Sequence, residues 1–158
     1  MSALAIRDAA PADIPALARV ALASYRSAFA AIASPEYLAS RTDATFAERF
    51  TTSLDRVRLA ERDGAVIGFT MVTAGHLDML FVDPAAQGSG AGSALLADAE
   101  ARGACTLESF RDNHPARAFY ERHGWRLTRA YDRDVGGGVH ACVFYEKAPP
   151  TAGDGRQD

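Results

Sequence analysis

Between Arg56 and Val82 the chain reads as three β-strands in immediate succession, and this run limits the fold more than any other stretch. "RVRLAERDGAVIGFTMVT" alternates apolar and polar residues across Asp63-Gly64, a pair suited to the positive φ that two-residue hairpin turns require. "HLDMLFV" (His76 to Val82) follows Ala74-Gly75 and reads as the third strand. Strands joined by turns this short must lie antiparallel, because a parallel pair needs a long crossover. These three strands therefore run in hairpins, as an antiparallel meander.

The flanking segments carry helical periods. Asp13 can cap a helix that places Ile14, Leu17, Ala18, Ala21, Leu22 and Tyr25 on one face, with Pro15 tolerated in the first turn. A second helical region runs from Ser34-Pro35 to about Ser53 with a break near Ser40 to Thr42, and supplies Tyr37, Leu38, Phe46 and Phe50 as core or pocket wall. "LAIRDA" (Leu4 to Ala9) is a short first strand. Beyond Val82 a helix stops at Gly103, "CTLESF" is a strand, and "NHPARAFYERHG" (Asn113 to Gly124) is a helix. "WRLTRAY" and "HACVFYEK" close the chain as two strands around "DRDVGGG". The order β-α-α-β-β-β-α-β-α-β-β predicts a mixed sheet in a single α/β (α+β) domain over residues 1–147, with 148–158 as a loose tail.

Charge and cysteine usage narrow the function. The formal net charge is -3, and the cations are arginines scattered along the chain apart from Lys147, so no basic stripe offers a nucleic-acid footprint. No stretch approaches the roughly 18 apolar residues of a membrane span, and a cytoplasmic protein is expected. Cys105 and Cys142 are too few and too far apart for a disulfide framework or a zinc site, and read as free thiols in strands. His114, His123 and His140 have no metal-ligand spacing, so no metal is expected.

The step "VDPAAQGSGAGSALL" (Val82 to Leu96) concentrates glycine where a strand hands over to a helix. A helix N-terminus carries unpaired amides and a partial positive charge, so it attracts phosphate when β-carbons do not block the approach. Gly88, Gly90 and Gly92 remove those β-carbons, and Gln87 and Ser93 are side-chain donors beside them. Three phosphate-binding patterns compete. A nucleotide-triphosphate loop would end in Gly-Lys-Ser/Thr, which is missing. The dinucleotide fingerprint is nearly matched by Gly88-Ser-Gly90-Ala-Gly-Ser93, and Glu108 sits twenty residues beyond Gly88 where a ribose ligand would be. Against it, Ser93 replaces the third glycine and the chain ends in paired strands instead of further βα units.

The third pattern is Gln87-Gly-Ser-Gly90-Ala-Gly92 after "LFVDP". It resembles the acyl-CoA loop of the GNAT superfamily of N-acetyltransferases, and "NHPARAFYERHGW" resembles that superfamily's second conserved block, in the matching order. The resemblance implies a splayed, mostly antiparallel sheet over residues 3–147 and acetyl-CoA as cosubstrate. It assigns Gln87, Gly88, Ser89, Gly90, Ala91, Gly92 and Ser93 to the pyrophosphate, the backbone of Leu80, Phe81 and Val82 to the pantetheine arm, and Asn113 to the same arm. Tyr120 is implied as general acid. The loop itself lacks a basic residue, which leaves anion binding to backbone amides.

Acyl transfer to an amine needs a neutral nucleophile and a proton for the departing thiolate. A phenol with a pKa near about 10 is protonated at neutral pH and can donate to a thiol of pKa about 8.5. Asn113 and Tyr120 stand about two helical turns apart, so they share a face, with the small Ala116 between them. For the base, His76 and Asp78 share a strand face with Leu80 and Val82 if that strand is regular; a bulge changes the parity. By analogy with the family, Tyr25, Phe29, Tyr37 and "DRDVGGGVH" form the acceptor pocket, which takes a small-molecule amine or a protein N-terminus or lysine. A non-catalytic acyl-CoA-binding module and a dinucleotide-binding redox domain are the competing readings. The last two strands offer an edge at which a homodimer could pair.

Overall fold

The computed structural model describes residues 3–135 and 138–148. Its strands are β1 (Ala5–Asp8), β2 (Val57–Arg62), β3 (Ala65–Thr73), β4 (His76–Val82), β5 (Thr106–Phe110), β6 (Arg126–Asp134) and β7 (Val139–Glu146). They form one sheet in the order β1-β2-β3-β4-β5-β7-β6, in which β4 and β5 are parallel and the other neighbours antiparallel. The helices are α1 (Ile14–Phe29), α2 (Pro35–Ala39), α3 (Asp43–Ser53), α4 (Ala91–Ala101) and α5 (His114–Arg122). The expected α/β architecture with a mostly antiparallel sheet is the one observed. Of the expected tail, residues 149–158 lie outside the described residues, as do Gly136 and Gly137 in the β6–β7 connection.

Local chemistry accounts for most boundaries. Asp63 and Gly64 adopt φ of 56° and 77°, as the β2–β3 turn demands, and Ala74 and Gly75 turn β3 into β4 the same way. The second helical region breaks into α2 and α3 because Thr42 starts a new helix, its hydroxyl accepting from Thr45 N–H at 3.2 Å. Asp13 does not cap α1. Its carboxylate accepts from Arg7 at 2.9 and 3.0 Å and from Ala10 N–H at 2.7 Å, and so closes the single 3-10 turn that precedes the helix. A guanidinium from the adjacent strand outcompetes the helix amides for this side chain.

Both sheet faces are covered. Leu17 and Val20 of α1 and Phe46 and Phe50 of α3 pack with Leu59, Phe69 and Met71 on one face. Leu96 and Ala99 of α4 and Tyr120 of α5 pack with Leu107, Trp125, Val143 and Tyr145 on the other. Phe46 and Phe50 are thus core, whereas Tyr37 joins Phe29 and Ala33 in a separate cluster near Phe110. Gly68 marks a close approach: a Cβ there would lie 2.8 Å from the Phe81 carbonyl oxygen.

The sheet opens at its centre. β4 and β5 pair only where His76 and Leu77 meet Thr106 and Leu107, and diverge beyond. Asp83 N–H donates to Ile67 O at 2.8 Å, so the antiparallel alternation assigns Phe81 and Met79 to hydrogen bonds with β3. Leu80 and Val82 then turn their N–H and C=O groups toward the gap.

Candidate active site

Two cavities meet across this gap. One, of about 460 Å³, follows the open edge of β4 between α4 and α5 and is lined by Leu80, Phe81, Val82, Ala86–Ser93, Asn113, Ala116, Phe119 and Tyr120. The other, of about 180 Å³, lies toward α1 and α2 and is lined by Tyr25, Phe29, Tyr37, Asp78, Glu108, Phe110, Arg133 and Val135. Leu80, Phe81, Asn113, Ala116 and Tyr120 border both. A group carried along the first cavity therefore meets one held in the second at these residues.

The glycine-rich loop forms the outer wall of the larger cleft. Gly88 and Gly90 have φ of 83° and 85°, while a Cβ on either would touch nothing within 4 Å. Backbone conformation, more than protein crowding, requires glycine there. Gly90 hands over to α4, whose first amides, Ala91, Gly92 and Ser93, have no earlier helical carbonyl to pair with. At Gly92 a Cβ would lie 3.6 Å from the Phe119 ring, inside the space that α4 and α5 leave for the cleft.

The flanking side chains are less free than their residue types suggest. His123 Nδ1 lies 2.8 Å from Phe119 O, so the proton sits on Nδ1, and Ser93 Oγ donates to His123 Nε2 at 3.1 Å. Gln87 Nε2 donates to Val82 O at 3.4 Å, and Ser24 Oγ donates to the same oxygen at 3.3 Å. Val82 O is thus partly satisfied within the protein, and among the described residues no such side-chain partner is seen for Leu80 O. Phe81 offers the gap no backbone group, since its ladder bonds go to β3, and its ring lies 5.0 Å from that of Tyr25.

Asn113 begins α5, its Oδ1 accepting from Ala116 N–H at 3.4 Å, which leaves its NH₂ group as a donor. Tyr120 follows two turns later. Its ring is buried against Phe119, Trp125 and Tyr145, and burial pushes its phenol well above the ordinary range. Among the described residues no hydrogen bond engages the Tyr120 hydroxyl.

The smaller cavity gathers the three predicted acceptor residues: Tyr25 lies 5.0 Å from Phe29 and 6.5 Å from Tyr37, centroid to centroid. Burial also raises the Tyr25 phenol. The strand carrying the candidate bases is not regular. Met71 pairs with Met79 and Val72 with Leu77, which leaves Asp78 as the extra residue of a β-bulge. Leu77 and Leu80 consequently pack on the α4–α5 face and Met79 on the other. His76 does not share a face with Leu80, contrary to the parity of a regular strand; its Nδ1 lies 2.8 Å from Thr106 Oγ1, its ring stacks on Phe144, and it borders neither cavity. Asp78 borders the smaller cavity but is exposed, and accepts a short hydrogen bond from the Thr73 hydroxyl.

Three further residues join the site through packing. Glu108, considered in the sequence only as a ribose ligand, borders the smaller cavity, its Oε2 accepting from Tyr131 OH at 2.6 Å and its Oε1 pairing with Arg133 Nη2 at 2.8 Å. Its alternation with Leu107 on β5 was the available signal, since Leu107 enters the core and Glu108 the opposite face. Arg122 borders the larger cleft, and Arg62 of β2 reaches Ser89 O at 3.5 Å. Nothing in local sequence places Arg62 beside the loop.

Residues 53–127 match the family model of the acetyltransferase (GNAT) domain. An uncharacterized N-acetyltransferase of Mycobacterium tuberculosis is 31% identical over 131 residues, an alignment covering 73% of this chain and 84% of that protein. The chain belongs to the GNAT acetyltransferase family. A GCN5-related N-acetyltransferase from Rhodopseudomonas palustris has a similar structure, with a TM-score of 0.74, 28% identity, and coverage of 94% of this chain and 97% of that one. The PaiA N-acetyltransferase of Thermoplasma acidophilum, solved with coenzyme A, shares the fold at a TM-score of 0.71 and 22% identity, over 92% and 99% of the two chains.

Proposed function

We propose that the protein transfers an acetyl group from acetyl-CoA to a primary amine by direct reaction in a ternary complex. The observation that carries this reading is the meeting of the two cavities at Leu80, Asn113, Ala116 and Tyr120. The larger cleft fits the cosubstrate. Its loop amides suit a diphosphate, the gap-facing groups of Leu80 and Val82 suit an amide-bearing arm, and the Asn113 NH₂ adds a donor. A relative in fold has been solved with coenzyme A, which supports the same assignment. When bound, acetyl-CoA supplies the activated thioester.

The chain's own groups divide the remaining work. Leu80 N–H faces the junction and can stabilise charge developing on the acyl oxygen. Tyr120 donates its phenolic proton to the departing sulfur, its low-dielectric setting keeping the proton in place beforehand. An amine of pKa about 10.4 must lose a proton at a cost of roughly 4 to 5 kcal/mol at pH 7. Glu108, the inner carboxylate of the smaller cavity, receives that proton directly or through water, and Asp78 at the exposed end passes it to solvent. Tyr131 and Arg133 fix the Glu108 carboxylate in place. The volume of about 180 Å³ and the aromatic wall suit a compact small-molecule amine or a single terminal residue.

The test is thiol release from acetyl-CoA across a panel of small amines and peptide N-termini, with the amide product identified by mass. Saturable turnover with at least one compact amine is expected. Saturable acetyl-CoA binding without turnover on any member would instead favour a non-catalytic acyl-CoA-binding module.

A further inference from the structure

The glycine loop separates the larger cleft from another hollow of about 410 Å³, and Ala86, Gln87, Gly88 and Ser89 line both. The far wall of this hollow is Arg62, the last residue of β2, with Ile67 and the exposed Asp63 beside it. Arg62 Nη2 reaches Ser89 O at 3.5 Å, while Arg62 Nε and Ser89 Oγ are both buried without a hydrogen-bond partner. Buried donors are nearly always satisfied in folded proteins, and a guanidinium is costly to bury with an N–H unused. The two residues, 27 apart in the sequence, both line this hollow behind a phosphate-suited loop.

We propose that Arg62 and Ser89 form a subsite for a phosphate monoester, and that its occupant is the 3′-phosphate on the ribose of coenzyme A. This inference rests on the acetyl-CoA reading. The diphosphate is assigned to the α4 side of the loop, where the helix amides and Arg122 lie. A ligand extended from Tyr120 to the loop has its nucleotide end at the loop's outer rim, and the hollow behind that rim is lined by Arg62 and Ser89, with the solvent-exposed Asp63 the one carboxylate among its lining residues. A phosphate monoester is close to dianionic at neutral pH and accepts from both. Arg62 thereby supplies the cation missing from the loop's own sequence.

The experiment is calorimetric titration of the full chain with coenzyme A and with dephospho-coenzyme A, which lacks only the 3′-phosphate. The wild-type protein is expected to prefer coenzyme A by roughly tenfold or more, the range for a hydrogen bond to a charged group. Arg62→Gln should lose that preference while binding dephospho-coenzyme A as the wild type does, and Arg122→Gln should weaken both ligands. Equal wild-type affinity for the two ligands overturns the subsite without using any variant, as does an Arg62→Gln variant weakened equally toward both, which would make Arg62 a brace for the loop. Failure of the wild type to bind either ligand refutes the acetyl-CoA reading itself.

Discussion

Asn113, which caps α5, and Tyr120 stand about two turns apart on that helix, and both border the larger cleft and the smaller cavity. A donor at the helix start and a phenol at the junction are thus held by a single rigid element. Replacing Tyr120 with Phe removes only the hydroxyl, and its ring contacts remain. The expected result is a fall in kcat of about a hundredfold or more, the scale of general acid catalysis, with the acetyl-CoA Kd changed less than about threefold. Steady-state kinetics paired with calorimetry would check both halves, and an unchanged kcat would remove Tyr120 from the chemistry.

The buried phenols also set a stability profile. Tyr25 and Tyr120 are both shifted upward by burial, whereas an unfolded tyrosine ionises near about pH 10. Below pH 10 both states keep the proton and the contribution is complete. Above it the unfolded chain releases protons that the native state retains, so stability falls as pH rises. Denaturant midpoints should decline between pH 9.5 and 11, and Tyr120→Phe should flatten that decline. A midpoint independent of pH over this range would contradict the burial of both hydroxyls.

Gly90 combines a φ of 85° with the first turn of α4. Valine there must either strain the backbone by roughly 1 to 2 kcal/mol or re-aim the loop amides. Gly90→Val is expected to bind coenzyme A at least about tenfold more weakly, with a small drop in Tm. Unchanged affinity in a folded variant would separate the loop from phosphate binding.

Glu108 and Asp78 should differ in their effect on the rate. Glu108→Gln keeps the shape but cannot take a proton, so kcat/KM should fall about a hundredfold and the acidic limb of its pH profile should flatten. Asp78→Asn should cost less than about fivefold, because solvent reaches the same end of the cavity. Rate profiles of the two variants with the best amine check this, and the reverse ranking would give the proton to Asp78.

The contrast between Asp63-Gly64 and Asp78 shows where the sequence was legible. The first pair dictates its own turn through positive φ, a local property, and the meander, the helices and the glycine step follow from equally local signals. The bulge at Asp78 depends on how β4 fits β3 while two cores fill opposite faces, so no period in the sequence marks it, and the shared face expected for His76 was lost with it. Asp13 misled for a related reason: its side chain is an N-cap by type, yet Arg7 lies within reach once β1 and the 3-10 turn are folded. The loop was readable from its glycines, but its nearby cations arrive from β2 and α5 by packing. Glu108 was visible as a carboxylate at a strand end, and only the divergence of β4 from β5 turns it into part of the wall of the smaller cavity.

Calorimetric titration of the purified protein with acetyl-CoA, with NAD as the control, tests the central assignment most directly. Saturable binding of acetyl-CoA with no heat from NAD is the predicted result. Saturable NAD binding with none of acetyl-CoA would contradict the account and return the glycine-rich step to the dinucleotide fingerprint that it nearly matches.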